Sequence, residues 1–233
     1  MVSKTAFEGL PKDYFDFFKE LKANNNREWF EDNKQRFRES VQEPLSVFVE
    51  AMGPRLKRIS KHFVADPRLN GGSIFRIYRD VRFSKDKSPY KTHGGIHFRH
   101  ALGKDAHAPG FYVHLAADEV FYGGGVWAPQ PPALQKIRET IRDKAKAWNA
   151  AISGAAFTKR FDGVRGDALS RPPRGFDAEH PLIEDIKRKS FYAISDSKPS
   201  AARKAAFADD VAATFTDAKP LMKFLCDALG API

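Results

Sequence analysis

A basic stretch of the chain, residues 75–98, carries most of the side chains that could bind or transform a ligand. It reads FRIYRDVRFSKDKSPYKTHGGIHF, and within residues 76–91 six lysines and arginines stand against two aspartates, a net charge of +4. Arginine binds a carboxylate or phosphate through two parallel hydrogen bonds, and lysine adds a mobile point charge. The sequence therefore predicts an anion site, with the ligand-binding candidates Arg76, Arg79, Arg82, Lys85, Lys91, Arg99 and Tyr112.

Histidines and tyrosines lie within this stretch and shortly after it. A histidine beside a tyrosine is the minimum for proton transfer, and arginines can stabilise the negative charge that develops in the reaction. On this basis the catalytic candidates are His97, His114 and Tyr78. The alternative is a buried network of these side chains that only satisfies its own hydrogen bonds.

His93, His97 and His114 also raise the question of a metal site, with Asp118 or Glu119 as a further ligand. Three imidazoles with an open position would suit zinc or another first-row ion. However, the spacing matches no metal-binding motif, and the neighbouring cations would repel a metal ion. We therefore predict no metal site, and the sequence identifies no cofactor.

Apolar and polar residues alternate with a period of two in several segments after residue 73, as in strands with one buried face. The predicted strands cover residues 74–80, 94–99, 110–116 and 119–122, with a returning strand over residues 190–195. If the first three strands are neighbours, one face of the sheet carries Arg76, Tyr78, His97, Arg99, Tyr112 and His114. We interpret the three glycines at 123–125 as a tight turn in preference to a close approach of two backbones.

The rest of the chain has the 3.6-residue period of amphipathic helices. Helices are predicted within residues 11–63, where Asn26 is an expected N-cap, and over residues 204–216 and 221–229. The predicted fold is a single α+β domain over residues 1–233, because no repeat or low-complexity linker divides it. A helical part (11–63), a sheet-rich part (74–127) and helices with a returning strand (132–230) place helices from both ends of the chain on a central, mostly antiparallel sheet.

Composition indicates a folded, basic protein. Of its 233 residues 42% are hydrophobic, and the net charge of +10 favours acidic partners in general. The single cysteine, Cys226, excludes an internal disulfide, fits a reducing compartment and lies in an apolar segment that predicts burial. No stretch approaches the roughly 20 apolar residues of a membrane span. We therefore expect a cytoplasmic protein with no membrane partner.

Three long phrases of the sequence carry a family resemblance. They are the basic stretch at 75–98, GFYVHLAADEVFYGGGVW at 110–127 and SRPPRGFDAEHPLIEDIKRKSFY at 170–192. In that order they resemble the bacterial and fungal family known as domain of unknown function 2461, and the similarity covers essentially the whole chain. The resemblance implies a single cytoplasmic domain, without an agreed activity, cofactor or set of catalytic residues.

Two functional classes follow from the residues. In the first, the protein binds a small phosphorylated or carboxylated ligand through the basic stretch, and acts on it if it is an enzyme. In the second, the same cations bind nucleic-acid phosphates while exposed aromatic rings stack on bases. Basic residues outside 76–91 are interleaved with acidic ones, which favours the small ligand. Internal salt bridges of the arginines, a solvated basic surface and a structural or protein-partner role stay open, and the sequence does not give the oligomeric state.

Overall fold

Four antiparallel strands form one sheet in the part of the chain that the structure describes. The structure is a computed structural model that describes residues 6–103 and 108–233. The strands are β1 (His93–Arg99), β2 (Gly110–Ala116), β3 (Val120–Val126) and β4 (Phe191–Ser197), and they lie side by side in that order. This result confirms the predicted antiparallel sheet.

Helices precede the sheet, separate β3 from β4, and follow β4. Before the sheet lie α1 (Lys12–Ala23), α2 (Arg27–Asp32), α3 (Lys34–Phe37), a π-helical turn (Arg38–Gln42) and α4 (Glu43–Ile59). The connection from β3 to β4 holds α5 (Pro131–Asp143), α6 (Ala145–Ser153), α7 (Ala155–Arg160) and α8 (Ile183–Ile186). The chain ends with α9 (Pro199–Ala202), α10 (Phe207–Asp217) and α11 (Lys219–Ala228). The α+β class, with helices from both ends of the chain, is confirmed.

Two further findings concern these helices. The Asn26 side chain accepts a hydrogen bond of 2.9 Å from the backbone N–H of Trp29, so the predicted N-cap of α2 is confirmed. Of the helices in residues 6–103 and 108–233, none combines the length and apolar character of a membrane span.

One face of the sheet packs on the helices and forms the core. Phe111 of β2 stacks on Phe215 of α10 with 4.5 Å between ring centroids, and both rings are fully buried. The hydroxyl of Tyr14 in α1 donates a hydrogen bond of 3.1 Å to the carbonyl of Leu115 in β2. Cys226 of α11 is buried in the same core, as its apolar surroundings predict. Helices from both ends of the chain therefore cover one side of the sheet.

The predicted strand over residues 74–80 is wrong. The segment is extended, but it joins the edge of β1 only briefly: the Phe75 N–H donates to the Gly95 carbonyl at 2.9 Å, and the His97 N–H donates to the Ser73 carbonyl at 2.8 Å. Further along, the Arg79 N–H donates to the Pro89 carbonyl at 2.9 Å instead. Because the segment leaves the edge of β1 so soon, no continuous ladder forms.

The tight turn predicted at residues 123–125 is also wrong, because these glycines lie inside β3. A Cβ added to Gly123 would overlap the carbonyl oxygen of Ala193 in β4, and one added to Gly125 would overlap that of Phe191. Gly125 also has a φ of +156°, which L side chains rarely adopt. The glycines therefore permit a close approach of two strands, which is the alternative to a tight turn.

Candidate binding site

The face of the sheet opposite the helices carries the polar side chains that the alternation predicts. The register aligns His97 of β1 with Tyr112 of β2, and His114 of β2 with Phe121 of β3. Side chains two residues apart on a strand point to the same face. These four side chains therefore form adjacent rows on one surface.

A cavity of about 600 Å³ lies over this surface, and we call it the sheet-face cavity. Its volume falls in the range of small-molecule sites, roughly 300–1,000 Å³. The ring of Trp127 is 61% exposed and that of Phe75 is 39% exposed, so both offer accessible aromatic surface. Besides these two, the side chains that form its walls include His97, Tyr112, His114, Glu119, Phe121, Tyr192 and Ile194.

Stacked rings on both sides hold His114 at the wall of the sheet-face cavity, and one of them, His93, lies outside its described lining. His93 stacks on His114 with 4.1 Å between ring centroids. His114 stacks in turn on Phe121 at 4.5 Å, with the two ring planes only 5° apart. Rings stacked on both sides leave an imidazole little freedom to rotate, so the orientation of His114 is fixed by packing.

Polar atoms of three side chains form a loose chain beside this stack. The hydroxyl of Tyr112 lies 3.4 Å from Nδ1 of His114, and Nε2 of His114 lies 3.6 Å from a carboxylate oxygen of Glu119. Both distances exceed those of a strong hydrogen bond. A ligand could therefore form hydrogen bonds with these polar atoms without first breaking a strong one.

Burial keeps His93, His114 and Tyr112 neutral. It lowers the pKa of His114 to about 4, and together with the nearby His114 and Lys91 it lowers that of His93 to about 4. Burial, with a smaller contribution from Glu119, raises the pKa of Tyr112 to about 12. All three side chains are consequently uncharged between roughly pH 5 and pH 11. They can donate or accept hydrogen bonds, but they bring no charge to a ligand.

Glycines make room for the rings. An added Cβ at Gly110 would overlap the imidazole of His97. At Gly95 an added Cβ would lie 2.9 Å from the Tyr112 hydroxyl and 3.0 Å from the Phe75 ring, which is closer than real Cβ contacts come. The absence of a side chain at these two positions therefore lets His97, Tyr112 and Phe75 line the cavity.

The structure brings together two of the three catalytic candidates. His97 and His114 line the sheet-face cavity with Tyr112. Tyr78 does not: it is 56% exposed, its ring centroid lies 5.7 Å from that of Tyr90, and it borders a different cavity. The separation follows from the end of the edge pairing, because Tyr78 lies beyond the part of the segment that contacts β1.

Two of the arginines predicted to bind a ligand are held by acidic residues close in sequence. Arg79 donates to a carboxylate oxygen of Asp86 at 2.5 Å and to the Ser88 carbonyl at 3.1 Å. Arg82 forms a salt bridge of 2.7 Å with Asp80, two residues earlier on the same exposed loop. These contacts match the salt-bridge interpretation that the sequence left open, and a ligand-binding role for the two arginines stays a prediction.

The remaining cations also lie outside the walls of the sheet-face cavity. Lys91 donates to the carbonyl of Arg76 at 2.7 Å, and its Nζ lies 5.5 Å from the ring centroid of Phe75. Arg99 donates to the Gly71 carbonyl at 2.9 Å, while Lys85 is exposed. Among the described residues that line the sheet-face cavity there is no lysine or arginine.

Several wall residues escape prediction from the sequence. Phe75, Phe121 and Tyr192 were not selected, and the sequence suggested Glu119 only as a metal ligand. The sequence does hold a signal for Phe121. It lies two residues before Gly123 and therefore on the same face of β3. Tyr192 has no such local signal, because it reaches the cavity only through the pairing of β3 with β4.

Within residues 6–103 and 108–233, no three histidine, cysteine, aspartate or glutamate side chains are placed to share a metal ion. His93 and His114 instead contact each other through their ring faces.

The comparisons with known proteins bear on the family of the chain. No curated protein matches it. A family model described as "Conserved hypothetical protein (DUF2461)" matches residues 13–224 of the 233, from α1 into α11. This match confirms the resemblance seen in the sequence. The chain therefore belongs to the DUF2461 family.

Proposed function

We propose that the protein binds a small ligand with a planar ring in the sheet-face cavity. The observation that carries the proposal is the set of aromatic walls around a concavity of about 600 Å³. Two of those walls, Trp127 and Phe75, keep a large exposed fraction. Aromatic surface around a few fixed polar groups is what small-molecule sites offer, and rings pack favourably on rings in stacked or edge-to-face geometry.

The charge of the cavity favours a ligand ring that is neutral or weakly cationic. Glu119 is the charged side chain among the described residues of its walls, and its carboxylate is 63% exposed. An anion here would meet that carboxylate with no cation in the described walls to offset it. The small anionic ligand favoured by the sequence therefore stays a prediction that this cavity does not support.

The pKa values favour binding over acid–base catalysis at this site. A general base works best with a pKa near the working pH. His114, with a pKa of about 4, and Tyr112, with a pKa of about 12, both lie far from neutrality. They are better suited to hydrogen-bond the edge of a bound ring than to exchange protons with it.

Nucleic acid is the competing partner. Aromatic rings on an open antiparallel sheet can stack single-stranded bases, and the chain carries a net charge of +10. The acidic Glu119 lies at this surface, however, and would repel a phosphate backbone, whereas the charge of Asp196 is partly offset by Arg165 at 3.5 Å. We therefore treat nucleic acid as an alternative outcome of the same experiment.

The test is binding of adenine and indole, measured by calorimetry, with cyclohexanol as a non-planar control. We expect at least one planar probe to bind and Trp127→Ala to weaken it about tenfold, since stacking on an aromatic ring contributes roughly 1–3 kcal/mol. Phe83→Ala is the matched control, because Phe83 is 95% exposed and lies in the 80–87 loop, away from the cavity.

Three results would contradict the proposal: no binding of either planar probe, equal binding of cyclohexanol, or an equal loss in Phe83→Ala. A ten-nucleotide oligothymidylate tests the alternative. Tight binding that falls steeply with salt concentration would favour a nucleic-acid-binding module, because each neutralised phosphate releases condensed counterions.

A further inference from the structure

A second cavity, of about 460 Å³, lies between the N-terminal helices and the extended segment at residues 74–78. We call it the helix-side cavity. The π-helical turn contributes Arg38, Val41 and Gln42 to its walls. Such turns change the direction of side chains within a helix and occur often at functional sites. Phe75 separates this cavity from the sheet-face cavity, since it borders both.

The floor of the helix-side cavity is apolar. Phe30, Val41 and Leu45 from the helices and Ile77 from the extended segment all line it, and each is at most 7% exposed. These side chains belong to the same packed core as the inner face of the sheet. Because these side chains are almost fully buried, the apolar surface that a ligand could contact here is that of Phe75, which is 39% exposed, and of the half-buried Leu69.

The rim of the helix-side cavity is cationic. Lys34, Arg38 and Arg76 reach it, and no aspartate or glutamate is found among its described lining residues. Glu31 lies 2.9 Å from Lys34 and Glu43 lies 3.9 Å from Arg38, so these two cations are partly neutralised from outside the cavity. Arg76 is exposed, and Lys91 donates to its carbonyl at 2.7 Å, which adds a second positive charge nearby.

We infer that the helix-side cavity binds an amphiphilic anion, a free carboxylate with a compact hydrocarbon body. The hydrocarbon packs on Leu69 and Phe75 above the buried floor, and the carboxylate meets Arg76 and Arg38 at the rim. The fork of an arginine matches a carboxylate through two parallel hydrogen bonds. Neutral donors at the rim, such as Tyr78 and Asn70, can take further carboxylate lone pairs.

The test uses octanoate as the probe, with 1-octanol as the neutral molecule of equal chain length and inorganic phosphate as the anion without a chain. Calorimetry should show octanoate binding to the full chain, and 1-octanol and phosphate binding at least about tenfold more weakly. Arg76→Gln should weaken octanoate binding by about tenfold, the effect of one charge-assisted contact. Arg82→Gln is the matched control, because Arg82 lies on the 80–87 loop outside the helix-side cavity.

The inference is overturned if octanoate does not bind, if 1-octanol or phosphate binds as well, or if Arg82→Gln loses as much affinity as Arg76→Gln. Arg38→Gln supplies a second variant on another element, should Arg76→Gln alter the 74–78 segment. Trp127→Ala tests the location: unchanged octanoate affinity supports the helix-side cavity, whereas a loss would place octanoate in the sheet-face cavity and overturn the inference. Because the probes differ, and because the variants expected to lose octanoate are not those expected to lose the planar ligand, each proposal can fail without the other.

Discussion

Mild acid should destabilise the protein through the stacked pair His93 and His114. The pKa of each folded imidazole is about 4, because burial disfavours the charged form. A histidine in an unfolded chain has a pKa near 6.5. Between about pH 4 and pH 6.5 the unfolded state therefore binds more protons than the folded state, so the free energy of unfolding falls as the pH falls. Above about pH 6.5 both states are neutral and this stability is fully present.

The two pKa values set the size of the effect. At pH 5 each histidine lowers the free energy of unfolding by roughly 2 kcal/mol relative to pH 7.5. This value follows from the different proton binding of the folded and unfolded states. The two rings lie 4.1 Å apart, and the repulsion between them when charged is already part of the lowered pKa of His93. A joint loss of roughly 3–4 kcal/mol is a large part of the roughly 5–15 kcal/mol that stabilises a typical domain.

Urea denaturation at pH 7.5, 6.0 and 5.0 measures this loss. The variant His93→Phe/His114→Phe keeps two stacked rings but removes both titrations, so its unfolding midpoint should change much less across the range. Asp13 does not interfere, because its hydrogen bond to Arg36 lowers its pKa to about 2 and its contribution is lost only below about pH 4. An equal pH dependence in the wild type and the double variant would refute the reasoning.

Two further experiments, one substitution and one chemical modification, test the packing of the sheet and the core. Gly110→Ala should destabilise the fold by roughly 1–3 kcal/mol in urea denaturation, because the new Cβ overlaps the His97 ring; unchanged stability would mean that His97 can move freely. The thiol of Cys226 is buried and burial raises its pKa to about 12, so it should stay unmodified by 5,5′-dithiobis(2-nitrobenzoate) at pH 8 until urea unfolds the chain. Rapid modification of the native protein would contradict that placement.

Much of the fold is predictable because its elements carry periodic side chains. Strict alternation identified β1 and β2 to within one residue, and apolar stripes identified the helices that cover the sheet. Gly123–Gly125 could not be recognised as part of β3, since glycine has no side chain to carry an alternation. Ile74 to Tyr78 alternates like a strand, yet its backbone partners are divided between β1 and residues 89–91. The alternation of side chains along the segment cannot show that its backbone partners are divided in this way.

The site is less predictable than the fold, and the reason is spatial. His97, Tyr112 and His114 were found because adjacent strands with the same alternation bring their polar residues to one face. The cations were grouped because they are close in sequence, but the loop at 80–88 folds back so that Asp80 and Asp86 pair with Arg82 and Arg79. Arg79 and Lys91 nevertheless line a third cavity, of about 370 Å³, together with Lys22. Closeness along the chain therefore grouped only part of these cations correctly in space, and their binding of a ligand stays a prediction.

The extended segment at residues 74–78 connects the two proposed sites. Its backbone is fixed by the hydrogen bond from the Phe75 N–H to Gly95 and by that from the Lys91 N–H to the Ile77 carbonyl, at 2.7 Å. The same backbone therefore shapes a wall of both cavities, whereas Trp127 borders only the sheet-face cavity and Arg76 only the helix-side cavity among the described linings. Loss of both ligands in Arg76→Gln would indicate a displaced segment. Loss of one ligand alone would identify a direct contact, because the shared backbone must then be intact.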